Sequence, residues 1–485
     1  MARAVVVGSG PNGLAAAIRL AQRGVEVTVL ERSDRVGGGT RTSESTLPGL
    51  LHDDCSAVHP MAVLSPFLVS LRLERHGLRW RWPEIDLAHP LEDGRAGLLS
   101  RDLDVTAASL GADGDDWRRL FAPLARDLDA VLTDIFRPLQ HVPGYPLALS
   151  RFGLRALAPA TSFVSRWTDP AARALFMGSA AHAFGRLDLP LSASVGLLLT
   201  TAGHRGGWPV AEGGSRAISD AMVAVLAELG GIVRTGVDVT RLDTLADEAG
   251  GEPDVVLLDT SPTAAVAIAG ERIAPRVRRS LERYRYGPAA FKVDLALDGP
   301  VPWTNPDVRR AGTVHVGGTA AEIAHAEAMT SRGVMPARPF VLVAQQHVAD
   351  PTRSRDGHVP VWAYAHVPHA WEGDATEAIL GQVERFAPGV RDRVVAVAAR
   401  GPAELEAHNP NYVGGDIGTG ANGLTQLLVR PRLAVDPYRL GEGLYLCSAA
   451  TPPGAGVHGM CGFHAAESAL RDLPTRRAAR RPAGS

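Results

Sequence analysis

The chain has 485 residues, with 50 Lys+Arg against 52 Asp+Glu, a formal net charge of −2 and a pI near 6.8. That balance removes any global electrostatic reason to bind nucleic acid, while 45 % hydrophobic residues with 52 Gly and 35 Pro exclude a collagen and a mostly disordered chain. Three cysteines, Cys55, Cys447 and Cys461, form no Cys-x-x-Cys pair, which excludes a disulfide framework and a local dithiol centre.

Ala4 to Val7 is a short apolar run and predicts a buried strand. Gly8-Ser9-Gly10-Pro11-Asn12-Gly13 follows as Gly-x-Gly-x-x-Gly. An alanine-rich helix from Leu14 to Arg23 comes next, ended by Gly24, and then a second strand, Val25 to Glu31. The first glycine permits the tight turn and the second lets the backbone approach a pyrophosphate. The third lets helix and strand pack closely, with the helix N-terminus facing the phosphate charge. Glu31 falls 18 residues after Gly13, where a carboxylate accepts from ribose hydroxyls. A terminal acid disfavours a 2′-phosphate, so FAD and NAD remain open at this point. The N-terminus enters the first strand without a signal-peptide core, and no run of 18 uncharged apolar residues spans a bilayer; a cytoplasmic location is expected.

Arg32 to Arg41 contains Gly37-Gly38-Gly39-Thr40. This resembles the glycine-pair motif of FAD-binding amine oxidases and phytoene-desaturase-type enzymes, in which a second glycine loop and an arginine lie along the FAD pyrophosphate. The resemblance implies that Arg32, Gly38, Gly39, Thr40 and Arg41 contact the cofactor. In the superfamily an arginine usually follows the glycine pair directly. Here Gly39 stands in that place and Arg41 comes two residues later. Further on, Asp115-Asp116 is read as the N-cap of a helix over Trp117 to Leu132. The segment Arg151 to Trp167 is apolar with spaced arginines, open to two readings: a core helix, or an interfacial helix making a peripheral membrane contact. Val210 to Thr240 reads as a loop, a helix over Arg216 to Leu229, then strand, turn and strand. In the family this piece covers the adenine with backbone groups matching Val237.

Lys292 is the only lysine in the sequence. It lies on the strand-like run Ala289 to Leu297. In amine oxidases a similar strand places a lysine near flavin N5, which implies a catalytic role for Lys292. Its surroundings and Asn409 to Asp416 resemble the group of the pyridine-nucleotide-disulphide-oxidoreductase-domain protein 2. Tyr412 in that stretch is a catalytic candidate and, with His59, Trp80 and His182, a candidate for the substrate pocket. Gly418 to Gly423 repeats Gly-x-Gly-x-x-Gly, but no apolar strand precedes it and it reads as a loop. His366 and His369 flank a proline and give no metal motif; none is expected.

Gly443 to Cys447 is another short strand, followed by the loop Ser448 to Gly459 and a helix from Gly462 to Leu470. This resembles the C-terminal motif of the same family. It implies that Ser448 and Ala449 hold the ribityl and phosphate, while Gly456, Val457, His458 and Met460 approach the flavin ring, with His458 a catalytic candidate. The implied fold is α/β, a Rossmann-type, glutathione-reductase-like FAD domain with an inserted α+β substrate domain of mixed sheet and covering helices. The FAD domain takes residues 1–75, 205–274 and 431–475, and the substrate domain takes 76–204 and 275–430. Residues 476–485 are expected as a disordered tail. The implied activity is an FAD-dependent oxidoreductase, with FAD held noncovalently. It takes hydride from a lipophilic or amphipathic small molecule and gives it up to oxygen or a quinone-type acceptor. Amine oxidation, redox-neutral double-bond isomerisation and a non-enzymatic flavin-binding role stand as alternatives.

Overall fold

The computed structural model describes residues 2–423, 426 and 429–480, with side chains through residue 473. Two sheets organise the chain. In the first, Arg3–Val7 is flanked in parallel by Glu26–Leu30 and Val255–Leu258. Ile232–Arg234 and Leu444–Leu446 extend it in parallel, and Arg439–Gly441 closes one edge antiparallel. Parallel strands need crossovers that cover the faces. The helix Pro11–Gln22 supplies the first crossover and packs on the C-terminal helix Met460–Arg480. Val5, Val6, Val256, Leu257 and Leu446 are buried accordingly, as a doubly covered sheet requires. All six strands fall within residues 1–75, 205–274 and 431–475.

The second sheet has seven strands, in the order Val394–Arg400, Ala289–Asp298, His358–Val367, Val341–Ala344, Ala311–Val316, Ile85–Pro90 and Ala96–Leu99. Its pairings are antiparallel except Ala311–Val316 with Ile85–Pro90. Strand alternation divides Ala289–Asp298 between two environments. Phe291, Val293, Leu295 and Leu297 enter a core with Trp303, Val361 and Ile379. Ala290 packs on the other face with Leu342, Trp362, Tyr364 and Tyr412. Helices between residues 103 and 206 cover this sheet around Trp117, Phe121, Trp167 and Phe176.

Two expectations change in detail. The helix near Trp117 runs Gly114–Ile135, so Asp115 and Asp116 lie in its first turn rather than at its cap. They pair with Arg118 and Arg119 on the exposed surface. The C-terminal helix continues through Arg480, and residues 481–485 of the expected tail lie outside the described residues.

The first and last helices meet with no room between them. A Cβ built on Gly462 would overlap the Asn12 carbonyl oxygen and lie 2.9 Å from Ala16 N. Gly462→Ala is therefore expected to cost about 3 kcal/mol or more of stability through overpacking against backbone. Urea unfolding of the variant beside wild type measures it; an unchanged midpoint would refute the close crossing.

Candidate functional site

The phosphate turn is built from bare backbone. Gly8 adopts φ +101°, and a Cβ on Gly10 would lie 2.7 Å from Asp259 Oδ2. Asp259, one residue past the strand Val255–Leu258, accepts the Gly13 N–H at 2.9 Å and so sits under the N-terminus of the helix Pro11–Gln22. Burial pushes its carboxyl up to about 7; the Gly13 N–H opposes the shift and the Glu31 charge adds to it.

Glu31 gathers four donors. Its Oε2 accepts Ser9 N–H at 3.0 Å and Ser9 Oγ–H at 2.6 Å, and its Oε1 accepts Ser33 N–H at 2.9 Å and pairs with Arg41 Nη2 at 3.0 Å. Both partners of the ion pair are buried. The carboxylate therefore ties the phosphate turn to the second glycine loop, a job the sequence reading did not give it. Gly39, where the superfamily carries arginine, has a steric cause: a Cβ there would collide with the Tyr412 hydroxyl. Tyr412 fills that space, and Arg41, two residues further on, places its guanidinium on Glu31 and the His408 carbonyl.

One cavity of about 960 Å³ joins these groups to the far end of the chain. Gly8, Ser9, Gly10, Pro11, Asn12, Glu31 and Arg32 line it, as do Gly38, Gly39, Thr40 and Arg41. So do Val237, Tyr412, Ser448, Ala449, Gly456, Val457 and His458. Gly13 and Met460 are not part of the wall: Gly13 is occupied with Asp259, and Met460 is buried at the start of the last helix. The Val237 N–H donates to the Glu31 carbonyl at 2.9 Å. Val239, two residues on, also lines the cavity, and its backbone makes no hydrogen bond among the described residues. Sequence pattern alone could not separate the two valines.

His458 has a structural role in the loop. Its Nδ1 accepts the Met460 N–H at 3.0 Å, its carbonyl accepts from Ser65 Oγ at 2.6 Å, and its ring lies 5.1 Å from that of Phe136. Burial lowers its pKa to about 4, partly offset by backbone groups of Gly454 and Ala455, so the imidazole is neutral near pH 7.

The opposite half of the cavity is apolar, walled by Leu191, Val195, Leu198, Leu342, Trp362 and Tyr364. His182 lines it and meets His315 at 2.9 Å, Nε2 to Nε2. Its pKa is lowered to about 3, by burial first and then by His366. His59 also lines the cavity, held to Ser215 Oγ at 2.8 Å; the Trp80 ring lies tilted beside it, centroids 5.8 Å apart, without reaching the wall. The glycine-rich segment Gly418 to Gly423 is a loop, as read, and contributes Gly418, Thr419, Gly420 and Asn422 to the wall. Among the described residues no His/Cys/Asp/Glu cluster could hold a metal ion.

Lys292 does not line the cavity. It is buried, cross-strand from Tyr364, and its Nζ pairs with Asp294 two residues along the same face. Asp294 also accepts Ser45 Oγ at 2.8 Å and lies 3.5 Å from His52. Burial alone would raise its pKa, but Lys292 and His52 hold it down to about 2. The charge of Lys292 is thus matched by a carboxylate, not presented to the cavity.

The residues present fit FAD. The bare glycine backbone leaves room for a pyrophosphate. Arg41 Nε and Asn12 Oδ1, both on wall residues, are buried without partners, and buried polar groups left open in this way mark where a ligand completes the hydrogen bonding. The sequence reading missed Asp259 and Arg430. The only local signal for Asp259 is an acid ending the strand beside the glycine turn.

Two outcomes follow. Asp259 has a folded pKa of about 7 against an ordinary value of 3.8. Its stabilising contribution is full below about pH 4 and is lost as pH rises through about 7. FAD affinity should decline as pH rises through and above about 7, where the carboxylate forms at the glycine turn of the folded protein. Asp259→Asn should flatten both curves; FAD titration and urea unfolding from pH 5 to 8.5 read them, and identical slopes in variant and wild type would contradict the assignment. Lys292→Met leaves Asp294 buried without its ammonium partner and should destabilise by about 3–5 kcal/mol. In that variant oxygen reoxidation of reduced flavin should stay near wild type. Urea unfolding and rapid mixing measure the two; a large oxygen effect with unchanged stability would return Lys292 to the flavin.

Residues 12–385 match the family described as flavin containing amine oxidoreductase. The sequence is 25 % identical to pyridine nucleotide-disulfide oxidoreductase domain-containing protein 2 of Rattus norvegicus, over 97 % of this chain and 93 % of that one. It is also 25 % identical to a phytoene desaturase (neurosporene-forming) of Rhodobacter capsulatus, over 95 % and 92 %. Among solved structures, an oxidoreductase from Methanosarcina mazei aligns with a TM-score of 0.62 at 16 % identity, covering 97 % of this chain and 100 % of that one. Putrescine oxidase bound to putrescine aligns with a TM-score of 0.60 at 18 % identity, covering 98 % and 99 %. At such identities the structural likeness is one of fold. With the family match spanning most of the chain and the glycine turn, Glu31 and the C-terminal loop converging on one cavity, the chain belongs to the flavin containing amine oxidoreductase family and is an oxidoreductase whose cofactor is FAD.

Proposed function

We propose that the protein oxidises a lipophilic or amphipathic small molecule by taking a hydride from carbon, with a double bond left in the product once a proton leaves the adjacent atom. The observation that carries this reading is the continuity of the cavity, from the glycine turn into a chamber walled by Leu191, Leu198, Leu342, Trp362 and Tyr364. Bound FAD supplies the hydride acceptor, and oxygen or a quinone-type acceptor takes the electrons onward. This chain's residues bind, orient and keep the substrate dry. Apolar walls hold a substrate by burial, about 25 cal/mol per Å², and the nearly parallel rings of Phe184 and Tyr364, 5.9 Å apart, shape one side of the chamber.

The charges along the cavity favour carbon–carbon over carbon–nitrogen oxidation. Glu31 is saturated by four donors. Asp416 accepts the N–H groups of Gly287, Gly418 and Gly420 at 2.7–2.8 Å. Asp259 holds Gly13, and Asp238 is exposed beside Val237 at the dinucleotide end. None of these lining carboxylates is left in the chamber to receive an ammonium group.

One helix of the cavity wall supports a peripheral lipid contact. The helix Pro146–Ala156 puts Leu149 and Phe152 on the cavity wall and leaves Leu147 81 % and Leu154 74 % exposed, with Arg151 between them and Arg155 next to Leu154.

Anaerobic bleaching of the flavin band against isoprenoids, acyl compounds and amines tests the reaction. Isoprenoids or acyl compounds should bleach it and amines should not; bleaching by amines with peroxide release would replace this reading with amine oxidation. Acid precipitation should leave flavin in the supernatant. Co-sedimentation with phosphatidylglycerol vesicles should fall about tenfold or more in Leu147→Asp/Leu154→Asp, since each leucine gives up burial of about 1.5–3 kcal/mol; equal sedimentation would remove the membrane contact.

A further inference from the structure

Four arginines line the cavity: Arg32, Arg41, Arg137 and Arg430. Arg32 and Arg137 are exposed, and Arg41 spends its charge on Glu31. Arg430 differs from all three. It is only 3 % exposed, and among the described residues no carboxylate lies within 4.0 Å of its guanidinium. A guanidinium carries five N–H donors. Two of Arg430's have acceptors: one on Nη2 reaches Asn422 Oδ1 at 2.6 Å, and one on Nη1 reaches the Ala449 carbonyl at a long 3.4 Å. Nε is buried with no partner among the described residues.

The nearest acid by electrostatic influence is Asp416, and its oxygens are committed to three glycine N–H groups. Tyr284, which also feels Arg430, donates its hydroxyl to the Thr419 carbonyl at 2.8 Å and offers no counter-charge. A cation buried without a counter-ion is costly to the fold, and open donors on a planar guanidinium suit a carboxylate or phosphate. The position is held from two sides. Asn422 is anchored by its Nδ2–H to the Ala183 carbonyl at 2.8 Å, next to His182. A Cβ on Gly454 would lie 3.1 Å from Arg430 Nη1, so the Ser448–Gly459 loop closes over the guanidinium.

We propose that Arg430, oriented by Asn422, is the oxyanion-binding residue of this cavity. It receives a carboxylate or phosphate oxygen of the molecule bound there. This deepens the proposed function and rests on the same cavity. Two molecules can bring the oxyanion: the dinucleotide through its phosphates, or a largely apolar substrate with an acidic head group.

The test has two arms, each read in wild type, Arg430→Gln, Arg430→Lys and Asn422→Asp. In the first arm, apoprotein is titrated with FAD by fluorescence quenching. In the second, dodecanoate and dodecanol are titrated against the protein by tryptophan fluorescence, which Trp208 and Trp362 on the cavity wall report. Arg430→Gln is expected to weaken one ligand by about thirtyfold or more, the scale for losing one partner of a buried charge pair. Arg430→Lys keeps the charge without the fork and should lose less. Asn422→Asp keeps the arginine but gives it a carboxylate of its own, and should weaken the same ligand even if Arg430→Gln fails to fold. A loss in the FAD arm assigns the oxyanion to the dinucleotide. A loss for dodecanoate, with dodecanol and FAD unaffected, assigns it to an acidic substrate. Both arms within twofold of wild type in the folded variants would overturn the proposal. A wild-type protein that takes no FAD would count against the flavin reading, while the dodecanoate arm still decides the role of Arg430.

Discussion

The site depends on two helices that come from opposite ends of the chain and cross without a side chain between them. Gly462 lies on the Asn12 carbonyl, and that contact fixes where the loop Ser448–Gly459 stands relative to the turn Gly8–Gly13. Neither piece makes a dinucleotide site alone. The turn offers bare backbone and a helix N-terminus; the loop supplies the opposite wall, with His458 closing it by accepting the Met460 N–H. Helix packing, rather than any single hydrogen bond, sets the width of the cleft between them.

A second layer of order comes from charges that are matched inside the protein. Glu31 with Arg41, and Lys292 with Asp294, are buried ion pairs. Arg353 is a third, held between Asp53 and Asp350 where the short strand His52–Asp53 meets the segment beside Gly213. Such pairs add little net stability but penalise any arrangement that separates them. Glu31–Arg41 joins the two glycine loops, while His52 beside Asp294 and Asp53 with Arg353 tie the short strand His52–Asp53 to the seven-stranded sheet and to the segment before its strand His358–Val367. Arg430 stands apart because it lacks a partner within this network.

Much of this was legible in the residues. The strand, glycine turn, helix and acid between Ala4 and Glu31 form a local pattern in which each residue type is demanded by backbone geometry, and the two strands and the helix of that pattern stand in the six-stranded sheet and over it. The C-terminal loop was legible through its resemblance to the family's C-terminal motif. What escaped depends on contacts across hundreds of residues. Nothing near Gly39 announces Tyr412, and the missing arginine looked like a defect until the hydroxyl was seen to fill its space. Lys292 drew attention as a lone lysine, yet strand alternation cannot say that Asp294 beside it takes the charge. Val237 and Val239 share one alternation phase, and only the hydrogen bond to the Glu31 carbonyl distinguishes them. Asp259 and Arg430 sit in segments with no motif, and their importance appears only once burial and partners are known.

The order of strands in the six-stranded sheet has a consequence for how the protein is made. Arg3–Val7 finds Glu26–Leu30 as soon as both leave the ribosome, but its other neighbour, Val255–Leu258, arrives much later, and Leu444–Leu446 later still. Through most of synthesis the nascent sheet therefore carries an open apolar edge, the kind of surface on which chains associate with one another. The seven-stranded sheet has the same character, since Ile85–Pro90 waits for Ala311–Val316. Chaperone demand during expression, and the damage done by a truncation that removes Leu444–Leu446, should both be greater for this chain than its ordinary size and composition suggest.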